Sequence, residues 1–277
     1  MNEQTKITII TACYNSELTI ENTIKSVLAQ EYKALEYIIV DGDSKDNTVA
    51  IVNKYAVDNL YIKVISEPDE GISDAFNKGI RLASGTLIGL INSDDELAAG
   101  ALESVNNCYI NTNADVIYGD TIVMDKENGL KILKKAGEIE KIKYEMPFIH
   151  QSCFVKRTAY EEVGVYNKEY KLCMDYDMMA RLYHSKYYFA KAEGVISIFH
   201  YGGTFCEHPI RTINEDMKIA EKYGLGKSEV IKYKLKLFSK NICKRIFVRL
   251  GIWRIVYKLL KGGALNNEEG ICFDDHI

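Results

Sequence analysis

The chain has 277 residues, 47% apolar and 27% charged, with a formal net charge of −4. That balance excludes a disordered chain, a collagen-like repeat and a disulfide-dense scaffold, and the length allows one large domain or two small ones with ample core. No run approaches the roughly 18 uncharged apolar residues of a membrane-spanning helix, and the seven cysteines (13, 108, 153, 173, 206, 243 and 273) contain no C-x-x-C pair, so the sequence reads as a cytoplasmic protein with reduced thiols.

The polar residues 1–6 lead into the short β-branched run KITIITA at 6–12, which reads as a strand and not as a secretory signal. Residues 16–30 carry apolar side chains at Leu18, Ile20, Ile24, Val27 and Leu28, the spacing of one helix face. LEYIIV at 35–40 predicts a buried strand, followed by a polar cluster at 41–47 and a helix over 48–55. A strand at 62–66, a loop at 67–71, a helix over 72–83 and a strand at 87–91 complete a β-α-β-α-β-α-β run. Such alternation implies a parallel sheet with right-handed crossovers and a binding crevice at the strands' C-terminal ends. Further on the pattern is mixed, with helices expected near 100–111 and 175–184 and strands near 116–124, 130–134, 154–155 and 194–200. Residues 224–277 read as a helical tail that ends in an acidic polar coil from Asn266.

Each polar cluster of the first third follows a strand, so all should meet on one edge of the sheet. Asn92-Ser93-Asp94-Asp95 places two adjacent carboxylates at a strand end, a donor set suited to Mg²⁺ or Mn²⁺ and a diphosphate, although an S-D-D sequence also makes a solvated helix-capping turn. Asp41-Gly42-Asp43-Ser44-Lys45-Asp46-Asn47-Thr48 offers a carboxylate for a base or ribose at the mouth of a tight turn, and equally a capped turn. In Thr11-Ala12-Cys13-Tyr14-Asn15 the Tyr ring could stack on a base. No G-x-G-x-x-G follows the first strand, and neither G-x-x-x-x-G-K-[ST], H-E-x-x-H nor G-x-S-x-G occurs, which sets aside dinucleotide, phosphate-loop, zinc-protease and serine-hydrolase chemistry.

The order T-A-C-Y-N, V-D-G-D-S-K-D-N-T, S-E-P-D-E-G-I-S-D-A-F-N-K-G and L-I-N-S-D-D resembles the family 2 glycosyltransferases of the GT-A fold, over roughly residues 5–205. The resemblance implies an α/β protein with a Rossmann-like, mainly parallel sheet, in which a nucleotide-sugar-binding half (1–97) is fused to an acceptor-binding half (98–223). Thr11, Tyr14 and Asp41 match residues that hold the donor's base and ribose. Asp95 matches the metal ligand, Asp94 a ribose or metal contact, and Asp74 and Asn77 polar positions lining the donor crevice. In M-D-Y-D-M-M-A-R-L at 174–182 the family's E-D pair becomes Met174-Asp175, which leaves Asp175 in the place of the catalytic base, with Asp177 turned another way on a helix.

These matches imply an inverting, metal-dependent transfer of a sugar from a nucleotide diphosphate sugar, UDP-linked in the family's manner, to a glycan or lipid-linked oligosaccharide of a surface polysaccharide. His150, with Gln151 and Ser152, and His200, with Tyr201 to Thr204, are further polar clusters that similar segments place near acceptor and phosphate. Residues 231–261 hold ten basic and no acidic side chains around an apolar stripe that includes Leu235, Phe238, Ile242 and Trp253. Such a helix can rest on an anionic membrane surface or pack on the protein itself. No nucleic-acid-binding module is present. Two rivals stay open: a sugar-nucleotide-binding subunit without catalysis, and a nucleotidyltransferase, which would want a Gly/Arg-rich loop after the first strand.

Overall fold

The computed structural model describes residues 4–125, 130–201, 209–224, 226, 228–232 and 235. Its first third alternates as expected: β1 (Ile7–Cys13), α1 (Ile20–Leu28), β2 (Leu35–Asp41), α2 (Thr48–Asp58), β3 (Ile62–Ser66), α3 (Ile72–Leu82) and β4 (Leu87–Asn92). There follow β5 (Glu96–Leu97), α4 (Ala101–Thr112), β6 (Val116–Asp125), β7 (Leu130–Lys134), short 3-10 turns at Ile139–Lys143 and His150–Ser152, and β8 (Phe154–Lys156). The remaining elements are α5 (Arg157–Val163), α6 (Met174–His184), β9 (Phe189–His200) and α7 (Pro209–Lys222).

One mixed, mainly parallel sheet runs β3-β2-β1-β4-β8-β6-β9-β5, with β7 on β6. β1 pairs in parallel with β2 and β4, and β2 with β3, so the four strands end on one edge at Cys13, Asp41, Ser66 and Asn92. β8 joins the two parts, antiparallel to both β4 and β6, so strands from both expected halves share this sheet. The β-branched runs need cover on both faces, as parallel strands do. Ile10, Val40, Ile88 and Leu90 pack with Phe76, Ile80, Met178 and Leu182 on one face, while Ile9, Ile39, Leu87 and Ile91 pack with Ile24, Val52, Leu102 and Val105 on the other.

Two boundaries depart from the sequence expectation for physical reasons. α1 begins at Ile20, not near residue 16, because the amides of Ser16 and Glu17 go to the Thr48 hydroxyl (2.7 Å) and the Asp46 carboxylate (3.0 Å). β9 begins five residues before Gly194, which the sequence offered as its start; Gly194 sits at φ +78 inside a register shift against β6, a bulge and not a strand end. β5, α5 and α7 were not expected. The basic segment 231–261 lies outside the described residues apart from 231, 232 and 235. Among the described residues no helix is long and apolar enough to cross a membrane.

The edge remote from the motifs is fastened by Glu36. Its carboxylate accepts from Thr8 Oγ1 (2.6 Å), Ser84 N (2.7 Å), Ser84 Oγ (2.8 Å) and Lys63 Nζ (2.6 Å). Burial alone would push this carboxyl up, but those donors outweigh it and bring it down to about 2. A depressed carboxylate stabilises the fold above its unfolded pKa and loses that contribution as pH falls. Glu36→Gln is therefore expected to cost on the order of 2 kcal/mol at pH 7, with the gap to wild type closing as pH drops below about 4.5, measured by urea unfolding at several pH values.

Candidate active site

Two loops at the C-terminal edge are laced together. Asn15 N donates to Ser44 Oγ (2.8 Å), Asn15 Oδ1 accepts from Lys45 N (2.8 Å), and Ser16 Oγ meets Ser93 Oγ (2.8 Å), which ties the loops after β1 and β2 to the N-S-D-D turn after β4. Asn15 and Asp43 hold φ of +48 and +65, left-handed positions that Asn and Asp tolerate better than most residues.

On this platform Tyr14 stands exposed at 61%, with its ring over Gly42. A Cβ at Gly42 would lie 2.6 Å from Asp69 Oδ2 and 3.4 Å from the Tyr14 ring, so only a glycine fits between this aromatic ring and this carboxylate. Asp69 was not singled out in the sequence; its signal is the Pro68-Asp69-Glu70-Gly71 turn, where Asp69 Oδ1 accepts from Gly71 N at 2.8 Å and leaves Oδ2 toward Gly42. Thr11 and Asp41 lie inside the protein at the ends of β1 and β2. Thr11 is fully buried with its hydroxyl on Tyr37 OH (3.0 Å). The Asp41 carboxylate, also fully buried, accepts from Ser44 N (3.1 Å), Ser44 Oγ and Ser66 Oγ (2.7 Å), so it shapes the turn that carries Gly42.

The acidic pair divides sharply. Asp94 is exposed, whereas Asp95 is fully buried and held by neutral donors: Gln151 Nε2 on Oδ2 (2.6 Å), the His200 amide on Oδ1 (2.9 Å) and the Asn92 side chain. Burial, together with the negative charge of Asp94, holds the Asp95 carboxyl well above the usual carboxylate range. Beside it Asn92 Oδ1 and His200 Nδ1 are buried without a partner, while His200 Nε2 meets Glu96 Oε1 at 2.8 Å. Among the described residues no three His, Cys, Asp or Glu side chains form a ready-made cation cage. A Mg²⁺ or Mn²⁺ still fits this site, because such ions take one or two carboxylates and complete their shell with phosphate oxygens and water.

Asp175 stands in the first turn of α6, whose first residue Met174 meets Ser73 Oγ at the start of α3 (2.7 Å), so the helix starts against α3. One oxygen of Asp175 accepts from the Tyr176 amide at 2.8 Å. Burial pushes its carboxyl up to about 6, with a smaller push from Asp216, and its charge in turn bears on Cys153, two residues beyond the Gln151 that holds Asp95. Asp177 is instead enclosed, with Arg181 Nη2 at 2.6 Å and Lys222 Nζ at 2.8 Å.

Asp74 sits in the first turn of α3 between Lys168 (3.3 Å) and Lys78 (3.7 Å), tied to the segment before α6. Asn77 lines a cavity with Asp74, Arg81 and Lys168, and its amide clamps the Tyr166 backbone on both sides, at 2.9 and 2.8 Å. His150 packs edge-on against Phe76 with Nε2 buried and unpartnered, and burial brings it down to about 4, so it is neutral at pH 7. Tyr14, Asp94 and Asp95 thus follow strands that end on one edge of the sheet, Asp175 stands in the first turn of a helix that starts against α3, and the side chains of Thr11, Asp41 and Asn77 are taken up by contacts within the fold.

Comparison with known proteins places the chain in one family. Residues 8–164 match the family described as Glycosyl transferase family 2. A PGL/p-HBAD biosynthesis glycosyltransferase of Mycobacterium tuberculosis is 28% identical over 181 residues, 63% of this chain and 68% of that protein. The hyaluronan synthase of Pasteurella multocida is 27% identical over 191 residues, 66% of this chain but 19% of the synthase. Among solved structures, Staphylococcus aureus TarS 1–349 in complex with UDP-GlcNAc superposes with a TM-score of 0.65 at 18% identity, covering 81% of this chain and 69% of TarS. The mannosyltransferase PcManGT of Pyrobaculum calidifontis, in complex with GDP-Man and Mn²⁺, gives 0.62 at 19% identity, covering 81% and 66%. The strand-end motifs, the α/β sheet that gathers them and the match over residues 8–164 make this chain a member of glycosyltransferase family 2, a transferase of GT-A fold that acts on nucleotide sugars.

Proposed function

We propose that the chain is an inverting, metal-dependent glycosyltransferase that takes its sugar from a UDP-linked donor and builds a surface glycan or lipid-linked oligosaccharide at the cytoplasmic side of a membrane. The observation that carries this is a pair of carboxylates held in different ways: Asp95 buried among neutral donors beside exposed Asp94, and Asp175, with one oxygen on the Tyr176 amide, raised to about 6 at the start of α6. The metal and donor class draw support from the UDP-GlcNAc bound by TarS and the GDP-Man and Mn²⁺ bound by PcManGT. The surface-glycan role draws support from relatives named for glycolipid and hyaluronan synthesis.

Tyr14 and Asp69 would hold the base and ribose across Gly42, the aromatic face by stacking and the carboxylate by accepting hydroxyl or imide hydrogens. Asp95 and Asp94 would hold a divalent ion, which when bound offsets the charge of the departing diphosphate. Asp175 takes the proton of the acceptor hydroxyl as that oxygen attacks the anomeric carbon from the face opposite the diphosphate, and the configuration inverts. Asp74, tied to Lys168 and Lys78, would order the strap beside the acceptor.

Calorimetric titration of UDP and GDP, each with and without Mn²⁺, tests this reading on wild type and on Asp95→Asn. UDP is expected to bind only with Mn²⁺ and to weaken at least about tenfold in the variant, the equivalent of about 1.4 kcal/mol. UDP binding indifferent to Mn²⁺ and to Asp95 overturns the metal assignment, and tighter binding of GDP overturns the donor.

A further inference from the structure

The family match ends at residue 164, before α6, yet the base proposed above stands at residue 175, so its placement depends on parts of the chain the match does not reach. α6 starts poorly by local chemistry. Its N-cap is Cys173, a residue with no useful acceptor for orphan amides, and no side chain of the cap closes the first turn. The amides that lead into the helix are instead met from another element. Glu215 of α7, 7% exposed, accepts from Lys171 N at 3.3 Å on Oε1, and from Leu172 N at 2.9 Å and Cys173 N at 3.1 Å on Oε2. Burial would push this carboxyl up; the three amides and Arg211 Nε at 3.1 Å more than offset it and keep it ionised.

The rest of α7 runs along the same helix. Cys173 Sγ reaches the Thr212 carbonyl at 3.5 Å, Lys222 Nζ meets Asp177 at 2.8 Å, and the Tyr223 ring stacks on His184 at 5.0 Å between centroids. Glu215 holds the three amides that lead up to the proposed base, while its neighbour Asp216 bears on the charge of Asp175. Residues 171–173 join α6 to the strap that Asn77 and Asp74 fasten to α3, so without Glu215 this junction has three unpaired amides and the start of α6 is free to shift. A base must come within about 2.6–3.2 Å of the hydroxyl it deprotonates, and a displacement of about 1 Å costs about 10²-fold in rate.

We propose that Glu215 is a positioning residue: it pins the three amides before Asp175 and so fixes the reach of that carboxylate to the attacking hydroxyl. The inference rests on Asp175 being the base, and it extends the site to a helix outside the family match.

The test compares Glu215→Gln, Glu215→Asp, Asp175→Asn and, as a stability control on the opposite edge of the sheet, Glu36→Gln. Each is assayed for Mn²⁺-dependent hydrolysis of UDP-GlcNAc and GDP-mannose, in which water replaces the acceptor, and for amide hydrogen exchange of residues 171–176. For Glu215→Gln the expected result is a kcat lower by about tenfold or more with KM for the nucleotide sugar within about threefold, because only the placement of the base changes. Glu215→Asp, which keeps the charge, recovers part of the loss. Exchange at 171–173 rises in Glu215→Gln and not in Glu36→Gln, which melts earlier but keeps its kcat. A Glu215→Gln enzyme that turns over within about twofold of wild type, or loses as much in KM as in kcat, overturns the proposal, as does unchanged protection at 171–173 irrespective of turnover. Full activity in Asp175→Asn overturns the base assignment itself, whereas inactivity there beside normal turnover in Glu215→Gln removes only the positioning role.

Discussion

Asp175→Asn is expected to lower turnover by roughly 10³-fold while UDP affinity stays near that of wild type, since a positioned general base contributes about 10²–10⁴. The expectation follows from where the carboxylate stands. It stands in the first turn of α6, it keeps one oxygen on the Tyr176 amide, and its surroundings raise it to about 6. An ordinary aspartate is ionised at pH 7 but is too weak a base to draw a proton from a sugar hydroxyl; one lifted to about 6 is both ionised and more basic. The same shift sets a pH profile: kcat should climb as Asp175 ionises near pH 6 and flatten above it. It also sets a sign for stability. A carboxyl raised in the folded state disfavours folding once pH passes its unfolded pKa, so the neutral Asn is expected to stabilise the fold at pH 7 by about 2 kcal/mol. Single-turnover assays, a kcat–pH profile and urea unfolding check the three parts together. A variant that keeps its turnover, or a wild-type profile flat through pH 6, would show that the proton leaves by another group.

The gathering of these residues was legible because it follows from topology: four parallel strands must end on one edge, and each named motif follows a strand. The direction of each side chain was not legible, because direction depends on register and on partners far along the chain. Thr11 sits in the donor motif, yet in-register pairing of β1 with β2 brings its hydroxyl within 3.0 Å of Tyr37, and the core takes it. Asn77 shares its helix with Asp74, but it is three residues on and meets a backbone 89 residues away. Asp41 is enclosed by two hydroxyls and an amide, while Asp69 turns one carboxylate oxygen toward Gly42. α7 left a fair local signal in Pro209 ahead of Ile213 and Met217, the start and spacing of a helix, but only its contact with the amides at 171–173 gives it a function.

Two residues beyond the base, Asp177→Ala is expected to act in the opposite sense, costing roughly 3 kcal/mol of stability, because removing one partner of a buried ion pair leaves its cations uncompensated. Residues two apart on a helix point about 200° from each other, so the two carboxylates face different ways and Asp177 turns into the protein. There it is fully enclosed and receives Arg181 at 2.6 Å, Lys222 at 2.8 Å and the Tyr223 hydroxyl at 3.3 Å. Arg181 also donates to the carbonyls of Val163, Gly164 and Val165 at 3.0, 3.2 and 3.0 Å, so this one anion holds α6 both to the end of α5 and to α7. Lys222, about half exposed, can turn to water when its partner is lost; Arg181, at 19%, cannot do so fully, and most of the cost falls there. A loss of about 3 kcal/mol corresponds to a melting temperature lower by roughly 8 °C in a chain of this size. Asp177→Asn, which still accepts from Arg181 but carries no charge, should fall between. Thermal melts and steady-state kinetics on both neighbours give the decisive comparison: Asp175→Asn slow and stable, Asp177→Ala unstable yet close to wild-type turnover well below its melting temperature. Were Asp177→Ala instead stable and slow, the two carboxylates of this helix would have to exchange roles, and the base would have to work from inside an ion pair with Arg181 and Lys222.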